Sequence, residues 1–125
     1  MLTMKSSPNH AGVILTGDCN DFDALYDALH EVVGEEGEFR HHEEARLRVL
    51  GVCYDLRHAL MGDREIEFVD NGMNTEMMKR MGVISHDKNV YLSIKVLWPE
   101  MIFVLVALND FIRLRAYSLT KVRWE

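Results

Sequence analysis

Residues Asn89 to Leu97 (NVYLSIKVL) alternate side chains with a period of two, and four residues later the chain enters Met101 to Leu108 (MIFVLVAL), apolar at every position. A period of two is that of a strand with one buried face. Val90, Leu92, Ile94 and Val96 point one way, and Tyr91, Ser93 and Lys95 the other. Pro99 stands where proline suits the first turn of a helix, so the strand passes directly into a helix ending at about Leu119. A helix lying on a sheet needs one apolar stripe, whereas one apolar all round is either central to the fold or shared with a second subunit. A 125-residue chain has little material to wrap a helix. The pattern therefore points to a homodimer through the last helix, with two-fold symmetry as the default. Asn109 and Asp110 are then polar groups near the interface that must find partners.

The rest of the chain supplies partners for that strand. Leu2 to Ser6 alternates, Pro8 to Gly12 is a turn cluster, and Gly12 to Thr16 reads as the returning strand of an antiparallel hairpin. Asn20 or Asp21 offers a cap to a helix carrying Phe22, Leu25, Tyr26, Leu29, Val32 and Val33 on one face, which Gly34 ends. A long helix follows from about His42 to Met61. Arg64 to Asp70 alternates again, with Ile66 and Phe68 expected to face the core. Asn74 caps a two-turn helix whose methionines (Met73, Met77, Met78, Met81) read as a lid plugged into the core more readily than as an adaptable binding surface. The order ββααβαβα favours an α+β fold over strict βαβ alternation. Residues 1–125 are expected to form a single domain, an antiparallel sheet of about four strands with helices packed mainly on one face. Lys5 and Lys95 against Glu65 and Glu67 suit the solvated face.

Composition narrows the function classes. With 14 Lys and Arg against 20 Asp and Glu, the formal net charge is −6. Nucleic-acid binding needs a basic field that displaces counterions, so no nucleic-acid partner is expected. The eight-residue apolar run falls far short of the ~20 residues that span a bilayer, and no membrane partner is expected either. Cys19 and Cys53 have no CxxC neighbour and read as free, buried thiols of a reducing, cytoplasmic compartment.

The segment FRHHEEARLRVLGVCYDLRHALMGD (Phe39 to Asp63) concentrates residues that could carry chemistry. His41 and His42 are adjacent, about 100° apart on a helix, and no second ligand cluster accompanies them, so no metal or cofactor is expected. Cys53 and His58 are about 140° apart around the axis and cannot pair as nucleophile and base. Asp55 and His58 do share a face, on a polar stripe with Glu44, Arg48 and Gly51, and form a weak candidate acid–base pair. The arginines are more informative. Arg46 and Arg57 project into the buried face marked by Leu50, Cys53, Leu56 and Leu60, and Arg115 projects near Leu108 and Phe111. An arginine cannot shed its charge, so each demands a partner. The three converge on a small anionic ligand, whose carboxylate or phosphate suits the guanidinium fork, or each pairs internally, with Asp70 the obvious carboxylate, or snorkels past the helix rim, or bridges to a second chain.

The blocks DFDALYDALHEVVG, RLRVLGVCYDLRHALMGDREIEFVDNGM and VLWPEMIFVLVALNDFIRL resemble a family of small uncharacterised bacterial proteins, chiefly of Bacillus-like Gram-positives, grouped as a domain of unknown function. The resemblance covers nearly the whole chain and implies a small cytoplasmic α+β protein, with no catalytic residues to carry over. The expectation is a non-catalytic dimeric module that binds a small anionic ligand or a protein partner, lined by Arg46, Arg57 and Arg115. The rivals are a small enzyme built on Asp55 and His58, and a structural or regulatory interaction protein with the acidic loop Glu35 to Glu38 as its handle.

Overall fold

A computed structural model describes the backbone of residues 1–82, 84 and 88–124 and the side chains of residues 1–82, 84 and 89–117. The elements run β1 (Thr3–Ser6), β2 (Gly12–Gly17), α1 (Cys19–Val33), α2 (Glu43–Leu60), β3 (Glu65–Asp70), α3 (Thr75–Met81), β4 (Lys88–Leu97) and α4 (Trp98–Trp124). Short 3-10 turns occupy Pro8–His10 and Arg40–His42. The order ββααβαβα is the expected one, and the four strands form one antiparallel sheet in the order β1-β2-β4-β3.

Register decides which side chains meet. Val13 lies opposite Val96 and Leu15 opposite Ile94, so these residues share a face of the sheet. On that face Val13, Leu15, Leu92, Ile94 and Val96 are buried together with Phe22, Leu29 and Val33 of α1, Val49, Val52, Cys53, Leu56 and Ala59 of α2, and Met101, Val104, Ala107 and Phe111 of α4. The three long helices thus cover one side of the sheet. On the other side Thr16 Oγ1 meets Ser93 Oγ at 3.1 Å, and Lys95 reaches Glu65 at 3.2 Å, as the alternation of charges suggests. β2 passes close to β4 at Gly12, where a Cβ would run into the Val96 carbonyl oxygen. Only glycine permits that approach.

Several local expectations need correction. The cap of α1 is Asp18 rather than Asn20 or Asp21: its carboxylate accepts from the Asp21 amide at 2.8 Å while the Asp21 side chain accepts from the Asp18 amide at 3.1 Å. This reciprocal box satisfies two orphan amides at once. Cys19, in the first turn, is exposed, whereas Cys53 is buried. Ile66 and Phe68 do lie on the helix side of the sheet, opposite Leu92 and Val90, but they are 44 % and 67 % exposed. β3 is an edge strand, and the three helices stop short of it. The methionine helix α3, capped by Asn74 as expected, buries no residue and is not a lid in the core. α4 reaches Trp124, past the expected end at Leu119.

The last helix is not covered all round. Met101, Val104, Ala107 and Phe111 are buried, whereas Ile102, Leu105, Val106 and Ile112 on the outer side are each 52 to 60 % exposed. The contrast between Phe111, fully buried, and Phe68, on the open edge, sets the first prediction. Phe111→Ala should lower stability by about 3 to 5 kcal/mol through lost burial and a residual cavity, and Phe68→Ser should change it by about 0.5 kcal/mol or less. Equilibrium urea unfolding separates the two, and equal costs would contradict the burial assigned to these rings.

Candidate functional site

The charged residues of the middle of the chain gather around the turn after α1. Gly34 ends that helix at φ +71°, a left-handed value that disfavours any side chain, and a Cβ there would also strike the Glu38 carboxylate and the Arg115 guanidinium. Arg46, on the first half of α2, donates from Nε to the Gly34 carbonyl oxygen at 3.0 Å and from a terminal nitrogen to Glu43 at 2.9 Å. Arg115 of α4 donates to Glu38 at 2.6 and 3.4 Å, a two-pronged contact, and to the Glu31 carbonyl oxygen at 3.1 Å. Its guanidinium also lies 5.0 Å from the centre of the Phe39 ring, a distance at which a cation is attracted to the face of an aromatic ring. Phe39 and His42 in turn set their rings 5.8 and 5.9 Å from that of Phe111. Residues 34–42 are therefore fastened to α2 and α4 by two arginines and a small aromatic cluster.

This geometry brings together two of the three arginines singled out from the sequence. Arg46 and Arg115 meet at the same turn, but each already grips a carboxylate of the chain, Glu43 and Glu38 respectively. Arg57 stands apart. It lies 11 residues beyond Arg46, about 16 Å along the helix, and is exposed rather than buried. The buried face of α2 centres on Val49, Val52, Cys53, Leu56 and Ala59, whereas Leu50 and Leu60 are only half-buried rim residues. Arg57 shares that rim, beside Asp23 and Tyr26 in a shallow depression of about 220 Å³. Asp70 is not the partner of any of the three in the ion pairs described; at the exposed end of β3, its carboxylate accepts from the Gly72 amide at 3.0 Å.

The Asp55 and His58 side chains are also held separately. Asp55 takes Arg64 at 2.9 Å, and His58 Nδ1 lies 3.2 Å from Asp63, with its ring tilted against that of Tyr54. Both residues are turned toward neighbours at the C-terminal end of α2 rather than toward each other. The Cys53 thiol is buried, and burial pushes its pKa up to about 11, the reverse of what an activated nucleophile requires. His41 is exposed and His42 leans on Phe111. Among the described residues no group of three His, Cys, Asp or Glu side chains is placed to hold a metal ion, and no helix is long and apolar enough to cross a membrane.

A family model described as Domain of unknown function (DUF6904) matches residues 2–125. The chain belongs to this family. Nothing among the curated proteins or the solved structures matches it. Membership covers almost the entire chain but assigns no chemistry to any residue, so the functional reading rests on the geometry of the chain itself.

Three residues of the fastened turn carried little sequence signal. Glu43 stands at i−3 from Arg46, a spacing that brings helical side chains together. Glu38 lies 77 residues from Arg115 in sequence, and Gly34 reads only as a helix stop. The consequence for Glu38 can be measured. The hydrogen bond from Arg115, then that from the Glu35 amide, holds its carboxyl below the usual glutamate range. A depressed folded-state pKa contributes stability that is complete above the usual range and is lost as pH falls through the depressed value. The stability of the wild-type protein should therefore fall more steeply on acidification through that window than that of Glu38→Gln. Parallel acid limbs in pH-dependent urea unfolding would refute the pairing.

The two thiols should differ in the same direction as their burial. Under native conditions a disulfide reagent such as dithionitrobenzoate should titrate one thiol per chain, Cys19, and in denaturant two. Fast modification of both in the folded protein would place Cys53 outside the core.

Proposed function

We propose that this protein is a non-catalytic, self-associating interaction module whose working surface is the outer side of α4. One observation carries the reading: Ile102, Leu105, Val106 and Ile112, spaced at three, one and six along the helix, are each more than half exposed. On a helix Leu105 and Val106 lie three and four residues from Ile102, and Ile112 lies three from Asn109, so the outer side carries an aliphatic strip interrupted by one amide. Monomeric soluble proteins rarely leave such strips uncovered, and a rimmed apolar patch marks an interaction surface. The flank of the strip is polar, with Arg48 held by Glu100 at 3.0 Å and lying 5.2 Å from the Phe103 ring centre. A hydrophobic centre with a polar rim is the usual anatomy of an association surface.

A second copy is the occupant favoured by Asn109. It stands between Val106 and Ile112 on the same outer side and is exposed. In a two-fold pairing each amide can meet its own copy, since an amide both donates and accepts. A lone asparagine in an otherwise apolar helix seam then fixes register at some cost in stability. The anionic-ligand reading receives less support, because the Arg46 and Arg115 forks are occupied by Glu43 and Glu38. An enzyme built on Asp55 and His58 receives less still, because the two side chains engage different partners. On this reading the protein works in the cytoplasm of a bacterial cell, where an exposed free thiol such as Cys19 stays reduced.

Light scattering coupled to size exclusion tests the reading directly. At about 100 µM, well above the Kd of an ordinary dimer, the wild type should show twice the 14.5 kDa chain mass. Val106→Glu, at an exposed position where the monomer tolerates charge, should run as a folded monomer. A monomeric wild type, or an unaltered dimer for Val106→Glu, would remove α4 as the association surface.

A further inference from the structure

The sheet has a second uncovered surface that association through α4 does not use. β3 pairs with β4 along one side and forms the end of the four-stranded sheet. All six of its residues are exposed. Such an edge presents unpaired main-chain donors and acceptors to any strand that can lie beside it. Its two faces differ in chemistry. Toward the helix side stand Ile66 and Phe68, next to Val90, which is itself exposed on β4. Toward the open side stand Glu65, Glu67 and, near the end of the strand, Val69, while Asp70 closes the helix side. Lys95 neutralises Glu65 at 3.2 Å, and Glu67 has no ion pair among the described residues.

We propose that β3 is a docking edge for an extended peptide of a partner protein, one whose residues alternate between apolar and basic. Charge complementarity selects this occupant over a second copy of the strand. Antiparallel pairing of β3 with itself, centred on residue 66 or 67, sets glutamate against glutamate on the open face, and like charges directly opposite one another repel. An incoming strand with lysine or arginine at those positions meets Glu67 with attraction. Its alternate residues fall on the other face, against Ile66 and Phe68, because successive side chains of a strand point to opposite sides. Main-chain hydrogen bonds then supply affinity and the two faces supply selectivity, the division of labour in strand-addition recognition. The strand runs on toward α3, where Met77 and Met81 are exposed and no residue is buried. The opposite edge, β1, is shorter at four residues and carries Lys5, so it repels the same peptide.

The test uses the full chain and a defined probe, a fluorescein-labelled octapeptide of alternating lysine and valine, blocked at both ends. Fluorescence anisotropy should show saturable binding that weakens with added salt, and hydrogen exchange should show new protection at the amides of residues 65–70. Glu67→Lys should weaken binding about fivefold or more, the scale of a cross-strand charge pair turned from attractive to repulsive. Glu67→Gln should have a smaller effect in the same direction, and serves if the reversed charge perturbs folding. A glutamate–valine peptide, and a lysine–valine peptide with N-methylated central residues, should bind more weakly than the probe. Val106→Glu, which acts on α4, should leave peptide affinity unchanged. Absence of saturable binding, equal affinity for Glu67→Lys, or protection confined to α4 or the helices would overturn the proposal.

Discussion

Strand β4 joins the two halves of the sheet, its residues 92–97 pairing with β2 and its residues 88–93 with β3, and the rest of the molecule is arranged around it. Its Leu92, Ile94 and Val96 form the centre of the sheet face on which α1, α2 and α4 rest. These three side chains are almost wholly buried, and withdrawing that much apolar surface from water is a main stabilising contribution. Its other face is built for close neighbours. Ser93 shares a hydrogen bond with Thr16, and glycine at position 12 lets β2 approach where any side chain would collide. The next element begins at once, since Trp98 opens α4 immediately after Leu97. The direction of β4 therefore fixes where α4 starts and which of its sides meets the core.

The turn between α1 and α2 is held by charge together with the packing of Phe39 and His42 on Phe111. Arg46 is the better enclosed of its two arginines, with a side chain 14 % exposed, while Arg115 and Glu38 remain partly open to water. Hydrogen bonds from a guanidinium to carboxylate are stronger than neutral ones, but solvent screening keeps a half-exposed pair near the low end of its range. The carbonyl contacts of Arg46 and Arg115 add to this, because a cation near the C-terminus of α1 also complements the helix dipole. The net effect is positional: the turn is fixed against α4, and the Arg46 Nε and one terminal nitrogen, with both terminal nitrogens of Arg115, are already engaged, while Arg115 Nε is a buried donor without a partner among the described residues.

Among the described residues the outer strip of α4 and the edge strand β3 are both exposed, and they differ in chemistry in a way that bears on specificity. The strip is aliphatic with one amide, a composition that a symmetric second copy can match. Residues 65–68 of the edge alternate acid with apolar side chains, a composition that disfavours its own copy and accepts a basic strand. A chain this small can thus carry two non-competing contacts, each selected by a different physical rule. One is hydrophobic burial, tuned by a polar residue; the other is main-chain pairing, filtered by charge.

Local pattern alone determined the element order, because a period of two or of three to four is written into neighbouring residues and needs no tertiary contact to be read. The alternation of Asn89 to Leu97, the helix stops at Gly34 and Gly62, and the asparagine cap of α3 are all of this kind. Sequence also assigned the faces correctly within β4 and β3, since Ile66 and Phe68 do point to the helix side. What it could not assign was coverage. Whether a helix lies above Phe68, whether the outer side of α4 is shielded, and whether Arg57 faces the core or its rim depend on where three helices come to rest on the sheet. So does the pairing of Glu38 with Arg115, 77 residues apart. Those positions are set by the insertion of β4 between β2 and β3 and by the packing of Phe22, Leu56 and Phe111 against it. Spacing along a chain records which residues share a face, whereas only the assembled core decides which faces are covered.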